Sequence, residues 1–508
     1  MPEQIFRIWK KQIKREWKYA FVATVFVGLL AHMYRFVNHL PNWDSLMDAY
    51  YPTHNMIQQG RQFQFLPAMW RGFTDLPWVI GLLSLVYLGL AMVLLTEIFE
   101  MHSPLTIILS AALIVTSPTV ISHWGYMFTA DCYLFAYLLA VFSIWITLRC
   151  QKGWLTGGIC LAVGMGIYQA YMPMAVALIL LWLIKELLGN KKYTLWELFR
   201  EKIIKFVAMG IVAVLFYYVS LNVMLHMQGA KLIDHQGMGS MHFPTLMEII
   251  NAWISSYIDT VYYFLGSLSK PSVYGFVNAF LLVLAVVLGI KLICRGNLYE
   301  QKGKMVLLLL CSFCYPCACH LLYFVTSDIE YHSLMQFGLV LFYVLLFWMY
   351  EQLNDTWVGL HWLICGLAGV LMWTLIVVAN TGYRAEVLSY EKTYAMVGRI
   401  VGRMEELPDY RNAEKMVIVG TVENHGENVM GKSPALTGYT DGIFVTHEKQ
   451  LAKMLEQYFG INLQWIEAQQ YLDIYGKEEI DRLGCWPDKN SVAQNGDTII
   501  VKLSELEE

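Results

Sequence analysis

The sequence predicts a polytopic α-helical membrane protein of about eleven spans, N-terminus inside and C-terminus outside, ending in a small α/β domain. Three observations carry that expectation. The chain of 508 residues is 57% apolar and only 15% charged, against roughly a quarter charged in ordinary soluble domains. Apolar runs of about 17 to 25 residues, the length that crosses a hydrocarbon core, recur from residue 19 to residue 380. After 380 the pattern changes to alternating strand and helix periods. A net charge of −4 gives no sign of a nucleic-acid partner.

The first element is basic. "IFRIWKKQIKREWKY" mixes Ile5, Phe6, Ile8, Trp9, Ile13 and Trp17 with Lys and Arg. This predicts an amphipathic helix over 1–18 on an anionic inner leaflet, leading into a retained span rather than a cleaved leader. Spans follow at 19–38, 77–97, 104–122, 132–148, 154–170, 172–188, 203–225, 272–294, 305–326, 334–352 and 358–380. The pair 154–170 and 172–188 reads as a hairpin broken at "YQAYMP", where Pro173 can begin the second helix.

Basic residues assign the sides. With the N-terminus inside, Lys and Arg crowd the inner segments 1–18, 149–153, 185–205 and 291–304. The outer segments hold only Arg35, Arg61, Arg71, Lys231 and Lys270. Positive residues stay cytoplasmic, so this orientation is the expected one. The stretch 243–266 is long enough to span, but Glu248, Asn251, Ser255 and Asp259 form a polar stripe along one helical face. Acids at a helix centre cost about 2.5–3.5 kcal/mol each, so an interfacial helix on the outer surface is predicted.

From 381 to 508 a helix ("YRAEVLSYEKTYAMVGRIVGRMEEL"), a buried strand ("KMVIVG"), a second helix ("EKQLAKMLEQYFG") and a closing strand ("DTIIVKLSE") predict an extracytoplasmic α/β domain. Within it "GENVMGKS", 426–433, fits a phosphate-loop pattern. Its strand ends five residues early, at Gly420, and Pro434 follows where a helix is needed, so it is read as a decoy. The cysteines of "CSFCYPCACH" lie in an apolar run with no polar shell. They are read as small helix-packing residues rather than as a metal cluster.

Polar and aromatic groups gather on the outer connections. Trp43, Asp44, Asp48, His54 and Arg61 lie in the loop 39–76. His123, Trp124 and Asp131 lie in "SHWGYMFTAD", Tyr168 and Gln169 in "YQAY", and Asp328, Glu330 and His332 in "SDIEYHS". Such a concentration at one boundary predicts a site there. Asp44 follows the first span within a few residues and is the leading functional acid.

The loop "NWDSLMDAYYPTHNMIQQGR", the acid in "FTADCY", the hairpin "GIYQAYMP" and the outer α/β tail together resemble the bacterial glucosyltransferase II (Gtr) family. These are polytopic glycosyltransferases of GT-C type. The resemblance covers roughly 19–380 and, more weakly, the tail. It implies a donor flipped across the cytoplasmic membrane, a sugar (glucose) on a polyprenyl phosphate, and an envelope glycan as acceptor. Many GT-C enzymes place two adjacent acids in this loop. Here Trp43 and Ser45 flank Asp44, which leaves open whether it acts alone or with Asp48 or Asp131.

A phosphate leaving group departs without protonation, so one carboxylate suffices to take the acceptor's proton. Asp44 is the expected base, with inversion at the anomeric carbon. Arg61 is expected to hold the lipid phosphate, with Gly60 allowing close backbone approach and Arg71 and Lys270 as further cations. Asp131 would orient the sugar or help hold a divalent cation (Mg or Mn), though no metal-ligand spacing is present. Trp43, Tyr50 and Tyr51 offer flat surfaces, and Asp48, His54, Tyr168, Gln169, His123 and His332 complete the expected substrate contacts. Two other readings stand beside this one: a flippase or transporter of lipid-linked glycans, and a polysaccharide polymerase or ligase.

Overall fold

A computed structural model describes residues 13–47, 53–189, 194–233, 242, 244–266, 272–326, 329–353, 358–422, 436–445 and 447–505. The segment 1–12, Asp48, Tyr50, Tyr51, Lys270, Asp328 and the stretch 426–433 lie outside them. The chain forms two compact units. The first comprises Met1–Asn38, Tyr50–Asn380 and Lys432–Thr437; the second comprises His39–Ala49, Thr381–Gly431 and Gly438–Glu508.

The first unit is helical. Among the described residues nine helices are long and apolar enough to cross a membrane, from Arg15–Val37 to Val358–Glu405. Two shorter apolar helices, Gly153–Met165 and Phe337–Glu351, stand where the sequence predicts spans 154–170 and 334–352. The protein is therefore a polytopic membrane protein. Local chemistry sets several boundaries. Pro77, Pro104 and Pro118 each open a helix at its first position, where the missing N–H costs nothing.

Small residues let the helices meet closely. A Cβ on Gly28 would fall 2.3 Å from Leu85, and one on Gly89 would fall 2.7 Å from Phe21. Close backbone approach of this kind drives helix association where apolar burial gives no gain over lipid. The cysteine-rich segment packs in the same way: Cys311, Cys317 and Cys319 are buried in the helix Lys302–Cys319. A Cβ on Gly338 would sit 2.8 Å from Cys319 Sγ.

The helix Leu246–Leu265 carries the predicted polar stripe. Thr245 and Glu248 cap it reciprocally, Thr245 N donating to Glu248 Oε2 at 2.7 Å and Glu248 N to Thr245 Oγ1 at 3.4 Å. Leu246, Met247, Ile250, Ile254 and Ile258 are exposed on the side away from the buried Ala252 and Ser256, a face suited to lipid. It is not among the nine candidate spans.

The helix of the last predicted span, 358–380, continues past 380. Val358–Glu405 is one helix of 48 residues, about 72 Å at 1.5 Å per residue, and the division between the units falls inside it. In the second unit its end packs Met396, Val397, Ile400 and Met404 against a four-stranded sheet. The strands are β1 (Lys415–Val419), β2 (Gln464–Ile466), β3 (Val492–Asn495) and β4 (Thr498–Lys502). Their order is β2-β1-β4-β3, with β1 parallel to both neighbours and β3 antiparallel to β4.

Alternate residues serve the two faces, as a pleated strand requires. Met416 and Ile418 join the cluster with Leu451, Met454 and Leu455 of the helix Glu448–Phe459, while Val417 and Val419 pack on Tyr471 and Ile480. The unit is thus a three-layer α/β fold. One piece of it comes from far away in the chain. The short helix Trp43–Met47 adds Leu46 to the first cluster, and Gln457 donates to Leu46 O at 3.0 Å.

Candidate functional site

Within the helical unit, the hairpin and the loop after the first span meet at a turn. Gly60 adopts φ +74, a left-handed conformation that a side chain would strain. The Gln169 amide donates to Gln59 O and Gly60 O, each at 3.0 Å, and Tyr217 Oη donates to Gly60 O at 3.0 Å. Phe63 N adds a 2.7 Å bond to Gly166 O. The turn is therefore held from three sides, and it projects Arg61.

Arg61 is half-buried. Its Nη1 donates to Tyr133 Oη at 3.2 Å, and its guanidinium lies over the Tyr168 ring, 5.1 Å from the centroid. Tyr133 and Tyr168 stack at 4.7 Å, so the cation rests on an aromatic pair. A cation so placed gains about 0.5–2 kcal/mol from the ring faces. His123 meets the edge of Tyr133 at 5.6 Å, its Nδ1 bonds Thr119 O at 2.7 Å, and its Nε2 lies 3.4 Å from Tyr171 Oη.

Asp131 is placed differently. It is fully buried, and Arg71 Nε donates to its Oδ2 at 3.0 Å. The same guanidinium donates to Thr74 O at 2.6 Å and to Phe128 O. Burial works against charge on Arg71, but Asp131 beside it more than offsets this and raises its pKa. The Asp131 carboxylate is engaged by an internal cation, so it does not fit the role of a divalent-cation ligand. Among the described residues no group of three His, Cys, Asp or Glu is placed to hold a metal ion. Arg71, read from the sequence as a further phosphate cation, is this pair's other half.

His332 lines a cleft of about 340 Å³ with Asp259, Tyr323, Glu330, Tyr331 and Gln336. Tyr323 donates to Asp259 Oδ2 at 2.7 Å. The helix Pro118–Gly125 touches both this cleft and the Arg61 cluster. Its Ser122 bonds Ser333 at 2.6 Å, while His123 turns to the tyrosines.

Trp43 and Asp44 belong to the second unit. Asn42 and Ser45 cap their short helix mutually, Ser45 N donating to Asn42 Oδ1 and Asn42 N to Ser45 Oγ, both at 2.9 Å. Asp44 is half-buried in its first turn and Trp43 packs on the unit's apolar cluster. His54 lies in the helix Thr53–Gln58, and Asp48 is outside the described residues.

Sequence reasoning missed Tyr133, Tyr171, Asp259 and Tyr323. The structure sets Asp131 inside the helix Met127–Arg149 rather than in the preceding connection, and an acid in such a helix requires a partner, here Arg71.

The family model for Glucosyl transferase GtrII matches residues 33–348, more than half of the chain. The protein belongs to the GtrII family. No curated protein sequence matches it, and no solved structure does. As a GtrII member it is a membrane glycosyltransferase, with a sugar donor and a glycan acceptor. The matched segment contains every residue from Trp43 to His332 named above. It ends before the helix Val358–Glu405 and the strands of the α/β unit.

Proposed function

We propose that this GtrII protein transfers glucose from a polyprenyl phosphate to an envelope glycan at the outer face of the cytoplasmic membrane. The observation that carries the reading is the family match over the segment holding Asp44, Arg61 and Asp131. The eleven-span, N-in and C-out arrangement is part of the reading, supported by the crowding of Lys and Arg in the inner segments.

Arg61 holds the donor phosphate. Its guanidinium is fixed by Tyr133 and Tyr168 on a clamped turn, and a planar fork matches phosphate oxygens. Asp44 is the general base. An acceptor hydroxyl attacks the anomeric carbon while its proton passes to the Asp44 carboxylate. The bond between that carbon and the phosphate oxygen breaks with its electron pair, and polyprenyl phosphate leaves without protonation. One displacement inverts the centre.

Asp131 acts at one remove, as a positioning residue. Its ion pair with Arg71 ties the helix Met127–Arg149, which carries Tyr133, to the turn after Phe65–Ala68. The acid-lined cleft at Asp259, Glu330 and His332 repels phosphate and suits hydroxyl-rich sugar instead.

The test is direct. Purified protein is incubated with radiolabelled polyprenyl-phosphate glucose and cell-wall glycan. Covalent label on the glycan is the expected result; label that crosses a vesicle bilayer but is never transferred contradicts it.

A further inference from the structure

The sheet of the α/β unit lies beyond the segment that the family model matches, and beside it is a crevice with the attributes of a ligand site. From β1 the chain passes to β2 on one side, and β4 lies on the other. Both are parallel to β1, with Val419 in register with Lys502. In open α/β sheets, ligands bind outside the carboxyl ends of the strands at such a reversal of strand order. Here that place holds a cavity of about 630 Å³, within the range of about 300–1,000 Å³ usual for small-molecule sites.

Its walls are the residues that leave the two strands, Thr421 after β1 and Leu503, Ser504 and Glu505 after β4, with Trp486 and Lys392. The exits are locked together. Thr421 N donates to Ser504 Oγ at 3.0 Å, and Gly420, at φ +75, would place a Cβ 2.2 Å from that oxygen. The Trp486 backbone N–H donates to Lys502 O at 3.0 Å. The guanidinium carbons of Arg399 and Arg403 sit 4.8 and 4.5 Å from its ring centroid. These arginines are four apart on one helix and so share a face.

The lining chemistry selects the ligand. A fixed indole gives an apolar platform, and two hydroxyls, an ammonium and a carboxylate surround it. Lys392 donates to Asp441 O at 2.7 Å, and Lys502 lies 2.8 Å from Glu505. Among the described lining residues the cation is Lys392, held on a backbone carbonyl, and Glu505 sets a carboxylate against a phosphate. A pyranose ring matches it, with a C–H face for the indole and a rim of hydroxyls for Thr421, Ser504 and Glu505.

We propose that this crevice is a carbohydrate-binding subsite for an uncharged pyranose unit. That the ring belongs to the acceptor glycan rests on the transferase reading; that a sugar ring binds does not.

The experiment uses the full chain in lipid nanodiscs with methyl α-glucopyranoside as probe and ATP as comparison. Saturation-transfer NMR reports binding, and hydrogen exchange reports its place. The expected result is transfer to the sugar's ring protons, with slowed exchange at 420–422, 485–486 and 503–505. Trp486→Leu, which removes the platform, and Thr421→Trp, which fills the crevice from an exposed position, should each cut the transfer at least fivefold. Asp44→Asn, inactive under the transferase reading, should bind as wild type does. Sugar binding without slowed exchange at those residues overturns the proposal, as does undiminished binding by Thr421→Trp or binding of ATP in place of the sugar. Failure of glucose transfer alone leaves these outcomes intact and counts against the transferase reading only.

Discussion

Arg71 Nε donates to Asp131 Oδ2 across 3.0 Å, and both side chains are sealed from solvent. Removing one partner of such a pair strands a buried charge and costs about 3–5 kcal/mol. Asp131→Leu and Arg71→Leu should each lower the thermal midpoint of the detergent-solubilised protein by several degrees. The double variant should recover most of the loss, because two apolar residues leave no unpaired charge. Additive losses in fluorescence-detected melting would break the pair's claimed role.

Arg61 is held on the Tyr133 and Tyr168 rings. Under the proposed reading, Arg61→Ala raises KM for the lipid-linked donor at least tenfold, about 1.4 kcal/mol, with a smaller change in acceptor KM. Arg61→Lys restores only part of this, since an ammonium lacks the fork. Steady-state kinetics with each substrate varied in turn checks it; an unchanged donor KM moves the phosphate elsewhere.

Gln169 works through Arg61, because its amide clamps the Gly60 turn. Gln169→Leu should raise donor KM in the same direction as Arg61→Ala, but less. In an Arg61→Ala background it should add little, since linked residues are not additive. A full additive effect would give Gln169 a separate role.

Glu248 caps the helix Leu246–Leu265. The Thr245 backbone N–H, then the Thr245 hydroxyl and His242, hold its carboxyl below the ordinary value of 4.5. A depressed folded-state pKa means the stabilisation is present above the ordinary value and lost as pH falls through the folded one. Amide exchange in the first turn, corrected for its intrinsic pH dependence, should therefore rise below pH 4.5 in wild type. It should do so far less in Glu248→Gln, which keeps a capping partner without the titration.

How much the sequence discloses varies with the range of the interaction that matters. Membrane helices are legible because burial in lipid is a local property of composition, and Pro77 and Pro104 mark starts that local sterics enforce. The continuous helix Val358–Glu405 reads as two parts in the sequence because hydropathy changes near 380, while nothing there breaks the backbone. The Arg71–Asp131 pair spans 60 positions and the Leu46–Gln457 bond 411. No periodicity encodes such partners. Hence Asp44 and Arg61, neighbours in one predicted loop, fall in different units. Arg61 is legible as a cation, but the tyrosine pair beneath it comes from the helix Met127–Arg149 and from the turn between Gly153–Met165 and Tyr171–Leu188, and packing between them decides it.

The account depends on which face of the membrane carries the α/β unit, since nucleotide sugars are confined to the other. Cys485 in that unit is partly exposed, and Cys150 and Cys294, in segments assigned to the inside, are exposed. Single-cysteine variants labelled in intact cells with a membrane-impermeant maleimide give the most direct test. Cys485 should react at once, and Cys150 and Cys294 only after permeabilisation. The opposite pattern would place the unit in the cytosol and contradict the account.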